Sequence, residues 1–465
     1  MVPRLASIAP DNGAIFMAKE YCPIDLVQHP EFKPLVLRSK NLVVIPSQGE
    51  KGTKIITGEE GEMLYEHRQE AEGMGDIPGV FASRVNLPEA EEKYRQELFG
   101  ESRPKWVVPN VSKPGVPLDQ IILSDPGLVR EIGVNSGSIV YGFNQTNEMA
   151  EIACRLGIKY YGNPDFAGWA GNKIGLSEFL DECGLPTPLT FSLHQASQLH
   201  AQAVALDEAG YKKLVVKVGH STGGMGHLIS GLAEVVSKCK DDPLKYLPSE
   251  FMPEEGAVVQ GWVDGAVSVS LATFVEFDGS YAFTGAQAHL VEGQSALGAI
   301  GAMPIEEKYL DSMLPVGYKL AQGYIRHQAW GPHTMGMLIP TPEESERLGF
   351  PIGIPLCNDE NSRPGASTIS KAWILALREG RYGIGWVVSK IKVPKGTKIS
   401  HVIEKLQSSG LLIEKTGSDA QGVFVFNGSV LDLGYEDKFY AVAISAKDDP
   451  LEAAGIMKQV KEAFL

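Results

Sequence analysis

Apolar and polar positions follow two rhythms along this chain. Up to about residue 165, short apolar runs are separated by helical patterns. Residues 41–47, NLVVIPS, form an apolar run ended by Pro46, as expected of a strand. Residues 88–98 fit a helix, and 106–109 and 121–124 fit strands. Over 146–156, Met149, Ile152, Ala153 and Leu156 recur at helical spacing, and 159–161 then form a strand ending at Gly162. This alternation predicts a parallel sheet flanked by helices. Residues 1–40 carry several prolines and no clear period.

Beyond residue 165 the rhythm becomes that of hairpins. Lys173 opens a helix stopped by Gly184 and Pro186, and residues 189–192 follow as a strand. An apolar strand, 214–218, runs into a glycine-rich loop, 219–226, and a second apolar run, 227–229. Residues 232–240 fit a helix. Strands at 257–263, 267–277 and 281–290 are separated by Asp264-Gly265 and Asp278-Gly279 turns, which predicts an antiparallel meander. A helix at 309–327 and a strand at 334–339 precede the polar stretch 355–367, PLCNDENSRPGAS. The last hundred residues predict a helix at 399–408, strands at 422–426 and 439–444, and a closing helix at 451–464. The expected division is 1–165, 166–370 (two subdomains) and 371–465.

Composition narrows the function classes. The chain has 465 residues, enough for about three domains. Its 43% hydrophobic and 21% charged content is that of an ordinary globular protein. A net charge of −15 argues against nucleic acid as a partner but leaves room for a small cationic pocket. Five scattered cysteines, with no CxxC or Cys/His cluster, argue against a zinc site and a disulfide framework. They fit a reducing, cytoplasmic setting. No apolar run is long enough to span a membrane, and no signal peptide is apparent.

Two stretches carry candidate chemistry. In KLVVKVGHSTGGMGHLIS, Lys217 nears the end of a strand, and Gly223, Gly224 and Gly226 let the backbone approach a ligand closely. Successive N–H groups in such a loop attract anions, and Ser221 and Thr222 add hydroxyl donors. A polyphosphate is the natural ligand; an ordinary hairpin turn is the plain alternative. The P-loop pattern is absent because no lysine follows the glycines. The dinucleotide fingerprint fails at Ile229, and the loop runs into a strand rather than a helix. In the second stretch, Asp359 and Asn361 share one face of a strand. A carboxylate and an amide oxygen so placed suit a hard cation such as Mg²⁺; a polar loop after a strand is the alternative.

Together, Lys173 before its helix, Lys217 before the glycine loop, the strand VVQGWV and the stretch DENSR resemble the ATP-grasp superfamily of carboxylate–amine ligases. More narrowly, the chain resembles the peptide ligases of pheganomycin-type biosynthesis, including NLVVIPS and the Tyr65–Arg68 stretch. The resemblance implies an ATP-grasp fold, mixed α/β and α+β. An open α/β N-terminal domain would precede the grasp, and a small α/β C-terminal domain would follow it. It implies that Lys173 and Lys217 contact the phosphates of ATP. Ser221, Thr222, Gly223, Gly224 and Met225 would close over the triphosphate. Gln260, Trp262 and Val263 would meet the adenine edge, and Asp264 the ribose. Asp359 and Asn361 would hold Mg²⁺, and Arg363 would steady the reacting oxygens. The usual acid on the strand before DENSR is missing, with Gly336 or Leu338 in its place, so a single Mg²⁺ or reduced activity is expected. His333 lies nearby as a candidate to compensate or act as a base, beside Glu360.

The implied reaction activates a carboxylate as an acyl phosphate and couples it to an amine, releasing ADP and phosphate. Small-molecule or peptide acids and amines are the expected partners, and a homodimer is the default assembly. Two rival readings stay open. One is a ligase for small amino acids, for instance a γ-glutamyl ligase. The other is a nucleotide-binding protein that has lost turnover.

Overall fold

The computed structural model describes residues 23–26, 28–33, 40–47, 67–74, 79–110, 115–134, 139–219, 226–290, 301–432, 434 and 437–465. Five strands open the fold: β1 (Leu42–Ile45), β2 (Val80–Ala82), β3 (Lys105–Val107), β4 (Ile139–Gly142) and β5 (Lys159–Tyr161). They form an all-parallel sheet in the order β3-β2-β1-β4-β5. The order reverses at β1, so a crevice is expected outside the C-terminal ends of β1 and β4. Helices α1 (Glu89–Phe99), α2 (Leu118–Ser124), α3 (Pro126–Val134) and α4 (Asn147–Leu156) connect the strands. Val43, Ile45, Val80 and Val140 bury one face against Ile122, Ile132 and Ile152. The Thr146 side chain caps α4 by accepting from Met149 N–H, and Gly157 ends it at φ 68°.

Residues 121–124 do not form the expected strand but end α2. A four-residue apolar run carries no period of its own. Here Pro117 supplies the helix start, and Leu118, Ile121 and Ile122 form its buried stripe.

Helices α5 (Pro164–Ala170) and α6 (Lys173–Glu182) lead to a four-stranded sheet. Its strands are β6 (Thr190–Leu193), β7 (Lys213–Val218), β8 (His227–Gly231) and β9 (Ala257–Gly261), in the antiparallel order β6-β9-β7-β8. One face packs Leu214, Val216 and Val259 against α7 (Leu199–Glu208) and α8 (Leu232–Lys238). Alternation turns Val215, Lys217, Val258 and Gln260 to the other face.

The third sheet has eight strands in the order β14-β13-β10-β11-β12-β15-β17-β16. Its first five in sequence are β10 (Val267–Val275), β11 (Tyr281–Leu290), β12 (Gly301–Pro304), β13 (Gly331–Ile339) and β14 (Leu356–Asn361). Helix α9 (Glu307–Arg326) buries Leu310, Met313, Leu320 and Tyr324 against this layer. Helices α10 (Pro342–Leu348) and α11 (Ala366–Leu377) flank β14 in the chain. Residues 371–465 extend the same sheet with β15 (Trp386–Lys392), β16 (Gly422–Val425) and β17 (Lys438–Ile444), through the pairing of Ala302 with Val388.

The two ends of the described chain are bolted together. Arg95 of α1 is fully buried between Glu70 and Glu91, donates to the Phe426 carbonyl at 3.2 Å and lies 4.8 Å over the Trp373 ring. Phe424 of β16 packs against Trp373 at 4.7 Å and edge-on to Phe99 at 5.7 Å. Removing that ring leaves a cavity shared by three segments distant in sequence. Phe424→Ala is expected to lose about 3–5 kcal/mol in denaturant unfolding. Far-UV circular dichroism and tryptophan fluorescence should still report one coincident transition; a separate early transition would show that residues 371–465 unfold alone.

Candidate functional site

A face of the four-stranded sheet and the edge strand β14 of the eight-stranded one present polar side chains to a shared cleft, beside the start of helix α6. Asn172 caps α6 by accepting from Ile174 N–H, and Lys173 N–H donates to the Gly219 carbonyl at 2.9 Å. The start of α6 is thereby tied to the end of β7. This geometry delivers Lys173 Nζ onto Asp359 Oδ1 of β14. From β7, Lys217 Nζ donates to Gln260 Oε1 at 2.7 Å and Asn358 Oδ1 at 2.8 Å. Gln260 Nε2 donates in turn to Thr190 Oγ1 at 2.9 Å.

A bulge in β14 makes this convergence possible. Gly336 pairs with Asp359 but Met337 with Cys357, so Asn358 is the extra residue. Asn358 and Asp359 can then both reach the cleft, one to each lysine. Asn361 follows on the same face, its Nδ2 at 3.4 Å from Asp359 Oδ2. In the cleft, Leu176, Leu180, Val258 and Cys357 form an apolar wall beside Lys173, Lys217, Gln260 and Asn358.

Electrostatics here are tense. Burial, aided by repulsion from Lys173 and opposed by Asp359, pulls Lys217 down from 10.5 to about 7. His227, paired with Lys217 across the hairpin, is pulled down to about 3 by burial and then by the two lysines, so its ring is neutral at ordinary pH. Burial opposes the charge of Asp359, but Lys173 and Lys217 outweigh it and hold the carboxyl below its usual range. On the neighbouring strands, His289 contacts Ser270 Oγ at 3.0 Å and Ser268 Oγ at 3.2 Å.

The structure thus brings together Lys173, Lys217, Gln260, Asp359 and Asn361. Gln260, expected at the adenine edge, accepts from Lys217 on its amide oxygen. Trp262 N–H is donated to the Lys213 carbonyl at 3.0 Å, and Val263 is buried. Asp264 is paired with Lys213 Nζ at 2.7 Å. Arg363 stacks 4.3 Å over the Phe143 ring, just past β4, and so joins the cleft to the crevice of the parallel sheet. Gly336, rather than Leu338, is the residue opposite Asp359; a Cβ there would sit 3.4 Å from the Asp359 Cβ. Ser221, Thr222, Gly223, Gly224 and Met225 lie outside the described residues, as do Tyr65 and Glu66.

His333 is not brought to the others. Its side chain is fully buried, Nδ1 is 3.2 Å from Glu360 Oε1, and Nε2 donates to the Ala329 carbonyl at 3.0 Å. The pleat places it with Met335 and Met337 toward the helices, opposite to the face of Asp359. Sequence reasoning missed Asn358, because an unbroken alternation hides a bulge. It also missed His227, which the hairpin register could have flagged as the partner of Lys217. Among the described residues, no three His, Cys, Asp or Glu side chains group as a metal site, and no helix is long and apolar enough to cross a membrane.

No family model and no curated protein matches the sequence. Solved structures do resemble the fold. An N5-carboxyaminoimidazole synthetase from Staphylococcus aureus complexed with ADP shares 10% identity over 93% of this chain and 99% of that one, at TM-score 0.52. The N5-carboxyaminoimidazole ribonucleotide synthetase of Thermus thermophilus shares 13% over 90% and 98%, at TM-score 0.54. The biotin carboxylase domain dimer of the Hydrogenobacter thermophilus 2-oxoglutarate carboxylase, solved with MgADP, ADP and bicarbonate, shares 12% over 88% and 86%, at TM-score 0.52. These are ATP-grasp structures, and the chain has the ATP-grasp fold.

The buried ammonium sets a pH dependence. Because the folded value of Lys217 lies below its unfolded one, protonation favours unfolding. The cost is full below about pH 7 and disappears as pH rises toward 10.5. The difference in melting temperature between wild type and Lys217→Met should therefore change between pH 7 and 10, with wild type gaining on the variant as pH rises. A difference constant across that range would refute the buried-charge assignment.

Proposed function

We propose that this chain is an ATP-dependent, ADP-forming ligase that joins a carboxylate to an amine. The observation that carries the proposal is the convergence of Lys173 and Lys217, from a helix start and a strand end, on Asp359 and Asn358 of a third element. Two lysines held beside one carboxylate suit a polyphosphate, whose negative charge would hold both in the ammonium form. The nucleotide complexes of the similar structures support the same choice.

Asp359 and Asn361 fit one hard cation: both lie on one face of β14, and the Asp359 carboxyl is held ionised. Half a turn of the Asn361 amide presents its oxygen beside the carboxylate. Mg²⁺, when bound, supplies further positive charge to the phosphate oxygens. The chain's own groups do the rest. Lys173 and Lys217 would position the β- and γ-phosphates and offset charge spreading over the transferring group. The apolar wall of Leu176, Leu180 and Val258 would take the flat base. In the first step a carboxylate oxygen of the acid attacks the γ-phosphorus, and ADP leaves with the bonding pair. In the second, the amine nitrogen attacks the acyl carbon, phosphate departs, and the nitrogen loses its proton. Arg363, at the join between cleft and crevice, would steady the acyl oxygens. The glycine loop would exclude water from the acyl phosphate.

On the same proposal the amide is a peptide bond made in natural-product biosynthesis, in the cytoplasm and by a homodimer. The resemblance of the motifs to pheganomycin-type ligases supports this, with an N-terminal α/β domain at 1–165, the grasp at 166–370 and a small C-terminal domain at 371–465. A second reading, nucleotide binding without turnover, is favoured by one observation: Gly336 puts no carboxylate opposite Asp359.

The test is ADP release from a library of acids and amines, followed chromatographically. Lys217→Ala and Asp359→Ala are each expected to lower amide formation at least about a hundredfold while leaving circular dichroism unchanged. Wild-type turnover in either variant would sink the site assignment. AMP and pyrophosphate in place of ADP would replace the acyl phosphate with adenylation. ATP consumption that ignores both substrates would favour the second reading.

A further inference from the structure

Glu360 lies between the two proposed cation ligands, yet it points the other way. Its side chain is fully buried on the helix side of the sheet. There Oε2 accepts from the Tyr324 hydroxyl at 2.6 Å, while Oε1 meets His333 Nδ1 at 3.2 Å and Ser362 Oγ at 3.3 Å. Tyr324 and His333 are stacked, ring centroids 3.9 Å apart, and His333 is anchored in turn to the Ala329 carbonyl. A buried carboxylate is costly unless it is paired and hydrogen-bonded, and this one has three partners: Tyr324 on α9, His333 on β13 and Ser362 just past the end of β14. Nothing in the proposed chemistry uses it directly.

Its place relative to the bulge suggests its work. A bulge lets a strand slip, and a slip by one residue turns every following side chain to the opposite face. In β14 the extra residue, Asn358, comes just before Asp359. Glu360 is the first side chain after the bulge to face the helices. Its hydrogen bonds fix alternation at that point, and so turn Asp359 and Asn361 toward the cleft. We infer that Glu360, clamped by Tyr324 and His333, is a positioning residue that sets the orientation of Asp359 and Asn361 toward a nucleotide-bound divalent cation. The inference rests on the functional reading above, since it presumes a cation on that face.

The experiment measures Mn²⁺ binding by electron paramagnetic resonance, in the presence of a non-hydrolysable ATP analogue. Analogue affinity in chelator and thermal melting are measured alongside. Wild type should bind Mn²⁺ when the analogue is present. Glu360→Gln keeps the size of the side chain but loses its charge, and should weaken Mn²⁺ binding about tenfold, as disturbed partners of metal ligands do. Its metal-free analogue affinity should stay at the wild-type value. Tyr324→Phe, which removes one hydrogen bond and keeps the ring, should shift Mn²⁺ affinity in the same direction by less. It decides the matter by the same criteria if Glu360→Gln does not fold. Unchanged Mn²⁺ affinity overturns the inference alone. Equal losses of Mn²⁺ and metal-free analogue binding also overturn it, by reducing Glu360 to a general scaffold. Wild type that takes no Mn²⁺ with the analogue overturns both the inference and the functional reading.

Discussion

Two ammonium groups held close together, largely out of water and with one carboxylate between them, are the constraint on which the site depends. Lys217 is pulled down to about 7 because burial, and then Lys173, act against its charge. Like charges do not gather in a low-dielectric cleft unless the surrounding structure holds them there. Gln260 and Asn358 hold Lys217, and Asp359 holds Lys173. On the proposed function, a nucleotide phosphate would find in these side chains a field already held in place by the fold.

The rest of the fold reads as support for this arrangement. Lys173 is placed by a helix cap, Lys217 by the pleat of a four-stranded sheet, and Asp359 by an eight-stranded one. No single element could hold the three at once, because neighbours along one strand point apart. Convergence therefore requires that the sheets be fixed relative to each other. The hydrogen bond from Lys173 N–H to the Gly219 carbonyl fixes α6 to β7. At the far side, Arg95 with its two glutamates ties α1 to Trp373 of α11 and to Phe426, just past β16. Arg363 stacked on Phe143 closes the remaining gap, between β14 and the crevice of the parallel sheet.

Much of this was legible in the sequence wherever a residue announces itself locally. The hairpin around Lys217, the helix beginning at Lys173 and the shared face of Asp359 and Asn361 all follow from period and turn chemistry. The resemblance implies that they share one site, and the structure brings their side chains together. Pairing and bulges were not legible. Residues 121–124 show the limit of a short apolar run, which helix and strand explain equally. Residues 371–465 showed strands, but no periodicity says that β15 will pair with β12. His333 looked chemical because it is a histidine near DENSR. Its face was decided by a sheet register that sequence alone does not contain, and that register buried it.

Gly336 shows how the two kinds of knowledge meet. From the sequence it is only the place where an acid is missing. In the structure its Cβ position has ordinary contact distance to Asp359, and its φ is not positive, so no steric demand makes it a glycine. The strand would tolerate a side chain there. The position opposite Asp359 is thus small by composition, not by necessity, and the negative charge on this edge of the cleft is that of Asp359. With Lys173 already on that carboxylate, charge balance around the triphosphate of the proposed function would fall mostly to the lysines and to a cation sharing Asp359 with them. On that proposal a cleft so weighted toward protein cations would hold its phosphate field in place by packing, and would depend correspondingly less on a second metal ion.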